Sequence, residues 1–220
     1  MSPKGGCGKS TTVMVLASAL STNEDLSIAV VDADPRQSLA RVWIGKREES
    51  EIGEPPFTVT SEIKETEIVD MLEKVEESAD VVIVDLEGAA GLMSSYVATS
   101  ADLCIVPMRP SALDGDAAGS ALKLIRSTGK AMKREIPTVV LITQTDAAIT
   151  TRSHREVVEE LDSAGIRRCS VELMKRAPFE RMMAEGKTLF ELADTESVAK
   201  ARENAKAMAR EIVAIVEANH

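Results

Sequence analysis

Five short runs of aliphatic and β-branched residues recur along this chain: 27–32 (SIAVVD), 57–60 (FTVT), 81–85 (VVIVD), 103–108 (LCIVPM) and 138–143 (TVVLIT). Each is too short and too continuously apolar for an amphipathic helix and reads as a buried strand. Between them lie longer segments with helical periodicity, at about 9–20, 67–77, 114–133 and 153–164, and the chain closes with another at 197–218. Strand alternating with helix leaves few solutions. Parallel neighbours need a crossover, and the crossover helix covers a face of the sheet. The expectation is therefore an α/β fold: a mostly parallel β-sheet with helices on both faces, in a single domain over 1–220. Several runs end in a carboxylate or a proline where the chain leaves the C-terminal edge of the sheet, the edge at which open α/β sheets bind ligands. Asp32 and Asp85 are thus expected to share one crevice.

The string SPKGGCGKSTT, from Ser2 to Thr12, precedes the first helical segment. Gly5, Gly6 and Gly8 allow positive φ and close backbone approach, so that successive N–H groups face one concavity at a helix start. Such a concavity suits phosphate. Lys9 then reaches the terminal phosphates and the Ser10 hydroxyl is placed to ligate Mg²⁺, as the ending GK[ST] requires. The strict pattern GxxxxGK[ST] wants glycine where Pro3 stands, and a second lysine, Lys4, lies five residues before Lys9. A phosphate loop also follows a strand, whereas only Met1, Ser2 and Pro3 precede Lys4. A further strand ahead of Ser2 is the expectation.

Taken with VVDADP at 30–35 and VVIVD at 81–85, the loop KGGCGKS resembles the deviant Walker-A ATPases of the ParA/MinD family. SALDGDAAGSAL at 111–122, ITQTDAA at 142–148 and FERMMAEGKTLFEL at 179–192 are similar to small plasmid-partition ATPases of the ParA type, and to a Ti-plasmid relative that recruits transfer DNA to its export machinery. The resemblance implies a P-loop NTPase fold and a weak ATPase, stimulated by a ParB-like adaptor, that dimerises around ATP and Mg²⁺. It implies that Gly5, Gly6, Cys7, Gly8, Lys9, Ser10 and Thr11 cradle the nucleotide and that Lys4 crosses to the nucleotide of a partner subunit in a homodimer. A desolvated cation about 4 Å from a phosphate contributes on the order of 4 kcal/mol at an effective dielectric near 20, so the crossing would tie dimerisation to the γ-phosphate. Spacing alone leaves open whether Lys4 acts there or over its own nucleotide. By the same resemblance Asp34 orients the attacking water, while Asp32 and Asp85 support Mg²⁺ through its outer shell. Strand-end aspartates also cap following helices, which is the competing reading of all three. Asp114 and Asp116 read as helix caps, Gln144 with Asp146 as a contact to the base edge or plain loop, and Met174, Met182 and Met183 as packing.

Composition narrows the partners. Residues 1–100 hold 8 Lys and Arg against 18 Asp and Glu, residues 101–220 hold 18 of each, and the net charge is -10. A DNA surface must then come from the second part of the chain. One candidate is the helix carrying Lys123, Arg126, Lys130, Lys133 and Arg134. The other is the C-terminal group around Arg167, Arg168, Lys175, Arg176, Arg181 and Lys187, with Lys200, Arg202, Lys206 and Arg210 nearby in sequence. The resemblance favours the second, with Lys175, Arg176, Arg181 and Lys187 as non-specific DNA contacts in the ATP-bound dimer. Aromatic residues make up 2% of the chain, too few for a base-stacking platform. Cys7, Cys104 and Cys169 form no CxxC pair, so a reduced, cytoplasmic protein without a zinc or iron–sulfur cage is expected, and the DNA binding that the resemblance implies would associate it with the nucleoid. The end AIVEANH lacks the basic amphipathic tail of a MinD-like membrane positioner, and no membrane partner is expected. The function implied is a switch that partitions or positions DNA. Its alternative is a DNA-recruitment module of a transfer system that holds ATP mainly as a structural ligand.

Overall fold

The computed structural model describes residues 6–34, 38–61, 67–86, 92–146 and 149–219. Lys4, Gly5, Pro35, the segment just after Leu86 and any strand ahead of Ser2 lie outside the described residues. The chain divides into two compact units. One is drawn from Met1–Lys9, Glu87–Lys175 and Arg210–His220, the other from Ser10–Leu86 and Arg176–Ala209.

The second of these units is built on a three-stranded parallel sheet of order β2-β1-β3, formed by β1 (Ile28–Ala33), β2 (Thr58–Thr60) and β3 (Val81–Leu86). Strand β1 has a neighbour on each side and is buried along its whole length, as its unbroken apolar run foretells. The equally apolar Val81–Val84 stretch of β3 is only half-buried, and among the described residues β3 pairs with β1. Helix α1 (Lys9–Leu20) is buried at every residue from Thr12 to Leu20; a helix apolar all round is a core helix. After β1 the chain makes a π-helical turn (Ser38–Trp43) and helix α2 (Ile44–Glu49), and α3 (Ile68–Glu76) follows β2. Trp43 is fully buried, stacks on Phe57 at 5.9 Å and donates its indole N–H to the Met182 carbonyl at 3.1 Å. Arg47, 3% exposed, holds Glu191 through two short bonds of 2.6 and 2.7 Å and also donates to the Gly186 carbonyl. These contacts fasten α2 to α7 (Ala177–Glu185) and the turn after it.

The other unit carries a parallel sheet of order β4-β5-β6, with β4 (Cys104–Met108), β5 (Thr138–Thr145) and β6 (Leu173–Met174). Helices α4 (Leu92–Ser100), α5 (Ala112–Met132) and α6 (Arg152–Ser163) flank it. Its core gathers Val106, Met108, Ala118, Ala121, Ile125, Val140, Ile142, Val157 and Leu161. Local chemistry sets the helix starts: the Ser111 hydroxyl accepts the Asp114 N–H, and Thr151 accepts that of His154. Ser111, not Asp114, is therefore the cap of α5. The long closing helix is α8 (Glu196–Glu217).

The fold is α/β with parallel strands throughout, as the alternation requires. Among the described residues the strands pair as two three-stranded parallel sheets, one in each unit.

Candidate functional site

The first unit holds the glycine loop. Gly6 and Gly8 have φ of +91° and +88°, the left-handed region that glycine enters without strain. An added Cβ at Gly6 would meet nothing within 4 Å, so the backbone angle, not space, selects glycine there. The carbonyls of the loop are turned onto β5. The Thr143 hydroxyl donates to the Cys7 carbonyl at 2.8 Å, with that of Met108 at 3.2 Å, and the Gln144 amide donates to the Gly6 carbonyl at 2.8 Å. Gln144 itself adopts φ +56°. Among the described residues no acceptor meets the backbone N–H groups of Gly6, Cys7 or Gly8. A glycine loop at positive φ whose carbonyls at residues 6 and 7 are tied back can present backbone N–H groups to an anion at the start of α1.

Sequence reasoning left Gln144 open between a contact to the base edge and a plain loop role; in the structure its amide braces the glycine loop. Thr143 and Arg109 were not singled out. Thr143 is visible only as the last residue of the run TVVLIT. Arg109 follows β4 and grips the fully buried Asp114 through Nε at 2.5 Å and Nη2 at 3.2 Å. That bond, with the Asp114 charge, holds the Arg109 pKa above its ordinary value.

The second unit holds the carboxylates. Asp32 and Asp85 are register partners on adjacent parallel strands, and both are buried along with Asp34. Burial raises the Asp32 pKa, while N–H bonds from Ala40, Leu39 and Asp34 pull against it. Asp32 thus performs the capping role as well, fixing the chain as it enters the π-helical turn. Ser10 and Thr11, half-buried on the first turn of α1, belong to the same unit. A serine hydroxyl and two carboxylates are oxygen donors of the kind Mg²⁺ takes alongside phosphate and water, so the donor chemistry of Ser10, Asp32 and Asp85 suits the ion. Asp32 and Asp85, expected to share one crevice, lie in register near the ends of adjacent parallel strands. Lys4 and Gly5 lie outside the described residues, and Lys9 opens α1.

The basic residues divide by pairing. Lys175 is exposed and Arg176 is half-exposed at the start of α7. Arg181 and Lys187 both bind Glu185, at 3.0 and 3.1 Å, and together hold its carboxyl below the usual carboxylate range. Lys200 pairs with Glu196, while Arg202 pairs with Asp194 and donates to the carbonyls of Leu189, Phe190 and Leu192. Among the described residues no helix is long and apolar enough to cross a membrane.

Comparison with known proteins agrees with this geometry. The family described as VirC1 protein matches residues 1–218. "Protein ParA" of Rhizobium radiobacter is 33% identical over 214 residues, 96% of this chain and 93% of that protein. Among solved structures, an ATP complex of McdA from Cyanothece superposes with a TM-score of 0.74 at 15% identity, covering 97% of this chain and 94% of that one. A putative plasmid partition protein from Borrelia burgdorferi bound to AMPPNP gives 0.67 at 18%, covering 94% and 95%. At such identities the two structures speak for the fold.

Proposed function

This chain belongs to the VirC1 protein family within the ParA/MinD group, and from that premise we propose that it is a P-loop ATPase whose ATP-bound form pairs as a homodimer and holds DNA. The observation that carries the reading is the glycine loop, with Gly6 and Gly8 at positive φ and the carbonyls of residues 6 and 7 tied to Gln144 and Thr143. In this reading the loop N–H groups and Thr11 receive the phosphates and Lys9 neutralises the outer ones. Ser10 holds Mg²⁺ directly, and Asp32 and Asp85 hold it through water. Asp34 orients the attacking water, and Lys4 reaches the partner subunit's nucleotide. Phosphoryl transfer needs mainly positioning and charge neutralisation, which this set supplies. Hydrolysis is weak, is stimulated by a ParB-like adaptor and resets the switch. The chain acts as one ATPase domain over 1–220, in the cytoplasm and on the nucleoid, and binds DNA without sequence preference. Lys175, Arg176, Arg181 and Lys187 are its candidate contacts from sequence.

The match to the VirC1 family favours one second reading: a recruitment module that brings DNA to a transfer apparatus and keeps ATP as a structural ligand. Phosphate release, measured with and without random-sequence duplex DNA, separates the two. A switch releases phosphate, and does so faster on DNA with its adaptor. Tight ATP binding with no release under any of these conditions would leave the recruitment module standing.

A further inference from the structure

The outer face of α5 carries a row of exposed cations without a carboxylate partner among the described residues. The helix turns Ala117, Ala118, Ala121, Ile125 and Gly129 inward, and Lys123, Arg126 and Lys130 stand exposed on the opposite side. Lys133 continues the series as the left-handed C-cap, with φ +54°. The cap can close because residue 129 has no side chain: a Cβ there would lie 2.7 Å from the Arg134 carbonyl. Arg134 is spent on structure, since its guanidinium donates to the carbonyls of Thr99 and Ala101 at the end of α4. From 117 to 134 the chain has no acidic residue; Asp116 and Glu135 flank the stretch. None of Lys123, Arg126, Lys130 and Lys133 forms an ion pair with a described carboxylate, whereas Arg181, Lys187, Lys200 and Arg202 all do.

We propose that this face is the surface that tracks the phosphates of duplex DNA, and that it supplies more of the DNA affinity than the pair Arg181 and Lys187, whose combined charge Glu185 halves. The inference rests on the DNA-binding reading above and adds where the DNA lies. Spacings of three, four and three keep the cations on one side of the helix. At a rise of 1.5 Å per residue, positions 123 to 133 span about 15 Å, alongside roughly four phosphates of one strand at 3.4 Å each. A membrane is the poorer partner. Between Ala117 and Gly129 the apolar side of α5 is buried in its own unit and outward-facing Ser120 and Ser127 offer nothing to insert, while the exposed Leu113 and Met132 stand apart at its two ends.

The test compares the full chain with a triple variant, Lys123→Gln, Arg126→Gln and Lys130→Gln, and a double variant, Arg181→Gln and Lys187→Gln. Anisotropy of a labelled random-sequence duplex is read with ATP at two salt concentrations, and circular dichroism confirms that each variant is folded. Three lost phosphate contacts make the slope of log affinity against log salt shallower by about 2.7, and affinity near 50 mM salt falls at least about tenfold. The double variant stays within about threefold of the parent. A folded triple variant with parental affinity and slope overturns the assignment to α5 while leaving DNA binding in place. A parent chain that binds no duplex at either salt defeats the DNA reading and this one together. Equal competition by polyglutamate at matched charge would point instead to an acidic protein partner and overturn the proposal.

Discussion

At the scale of single residues, the proposed function gives two lysines five positions apart two kinds of phosphate contact. Lys9 opens α1 directly after the glycine loop, so in the proposed reading Lys9→Ala should abolish ATP binding. Lys4→Ala should leave binding nearly unchanged and remove ATP-dependent pairing. Titration calorimetry with sedimentation checks both, and equal loss of binding in the two variants would reject a trans role for Lys4. Asp32 makes a prediction of the opposite electrostatic sign from an ordinary surface carboxylate. Its folded pKa lies above the unfolded value of about 3.8, so the folded state holds the proton more tightly. Stability on its account is therefore lost as pH rises from about 3.8 through the folded pKa, and stays lost above it. Melting from about pH 4 to pH 7 should show Asp32→Asn gaining on the parent as pH rises. A constant difference between the two would refute it. Both oxygens of the parent carboxylate also accept backbone N–H bonds, so the variant starts from a deficit at low pH.

Among the elements, the turn after α7 has the most exacting geometry. Gly186 caps that helix at φ +66°, and a Cβ placed there would stand 2.5 Å from the backbone N of Arg47. Gly186→Ala combines left-handed strain with a backbone clash and should cost about 2 to 3 kcal/mol, read as a lower urea midpoint at unchanged slope. An unshifted midpoint would mean that α2 and this turn do not pack as described. The same elements show what patterning could reveal. Helices α1, α3, α5, α6 and α8 and strands β1 to β5 were legible because each carries its own period or apolar run. The π-helical turn, α2, α4, α7 and β6 were not. LMSSYVATS in α4 has no clear apolar stripe, and its last turn is held by Arg134, more than thirty residues away, donating to the carbonyls of Thr99 and Ala101. Strand β6 has two residues, too few for any period to register.

For the whole molecule, the proposed switch predicts a state that can be trapped. Asp34→Ala removes the water-orienting carboxylate and leaves the phosphate and Mg²⁺ contacts, so it should accumulate an ATP-bound dimer and release phosphate at least about 100-fold more slowly. Sedimentation with ATP and a phosphate-release assay measure the two effects, and parental turnover in this variant would place the catalytic carboxylate elsewhere. The sequence by itself determined the parts that depend on neighbours along the chain: alternating strands and helices, the glycine loop ahead of α1, and aspartates at strand ends. It also held the i,i+4 spacing that lets Arg181 meet Glu185 and the acid-free stretch from 117 to 134, since both are local patterns. Only the tertiary structure decided that Asp32 lies in register with Asp85, that Thr143 and Gln144 tie back a loop about 136 residues earlier, and that Arg47 is buried against Glu191. A buried strand or a lone polar residue reads alike with many partners. The partner is chosen by which arrangement leaves the fewest buried charges and hydrogen-bonding groups unsatisfied, a condition on the folded whole that no local pattern carries.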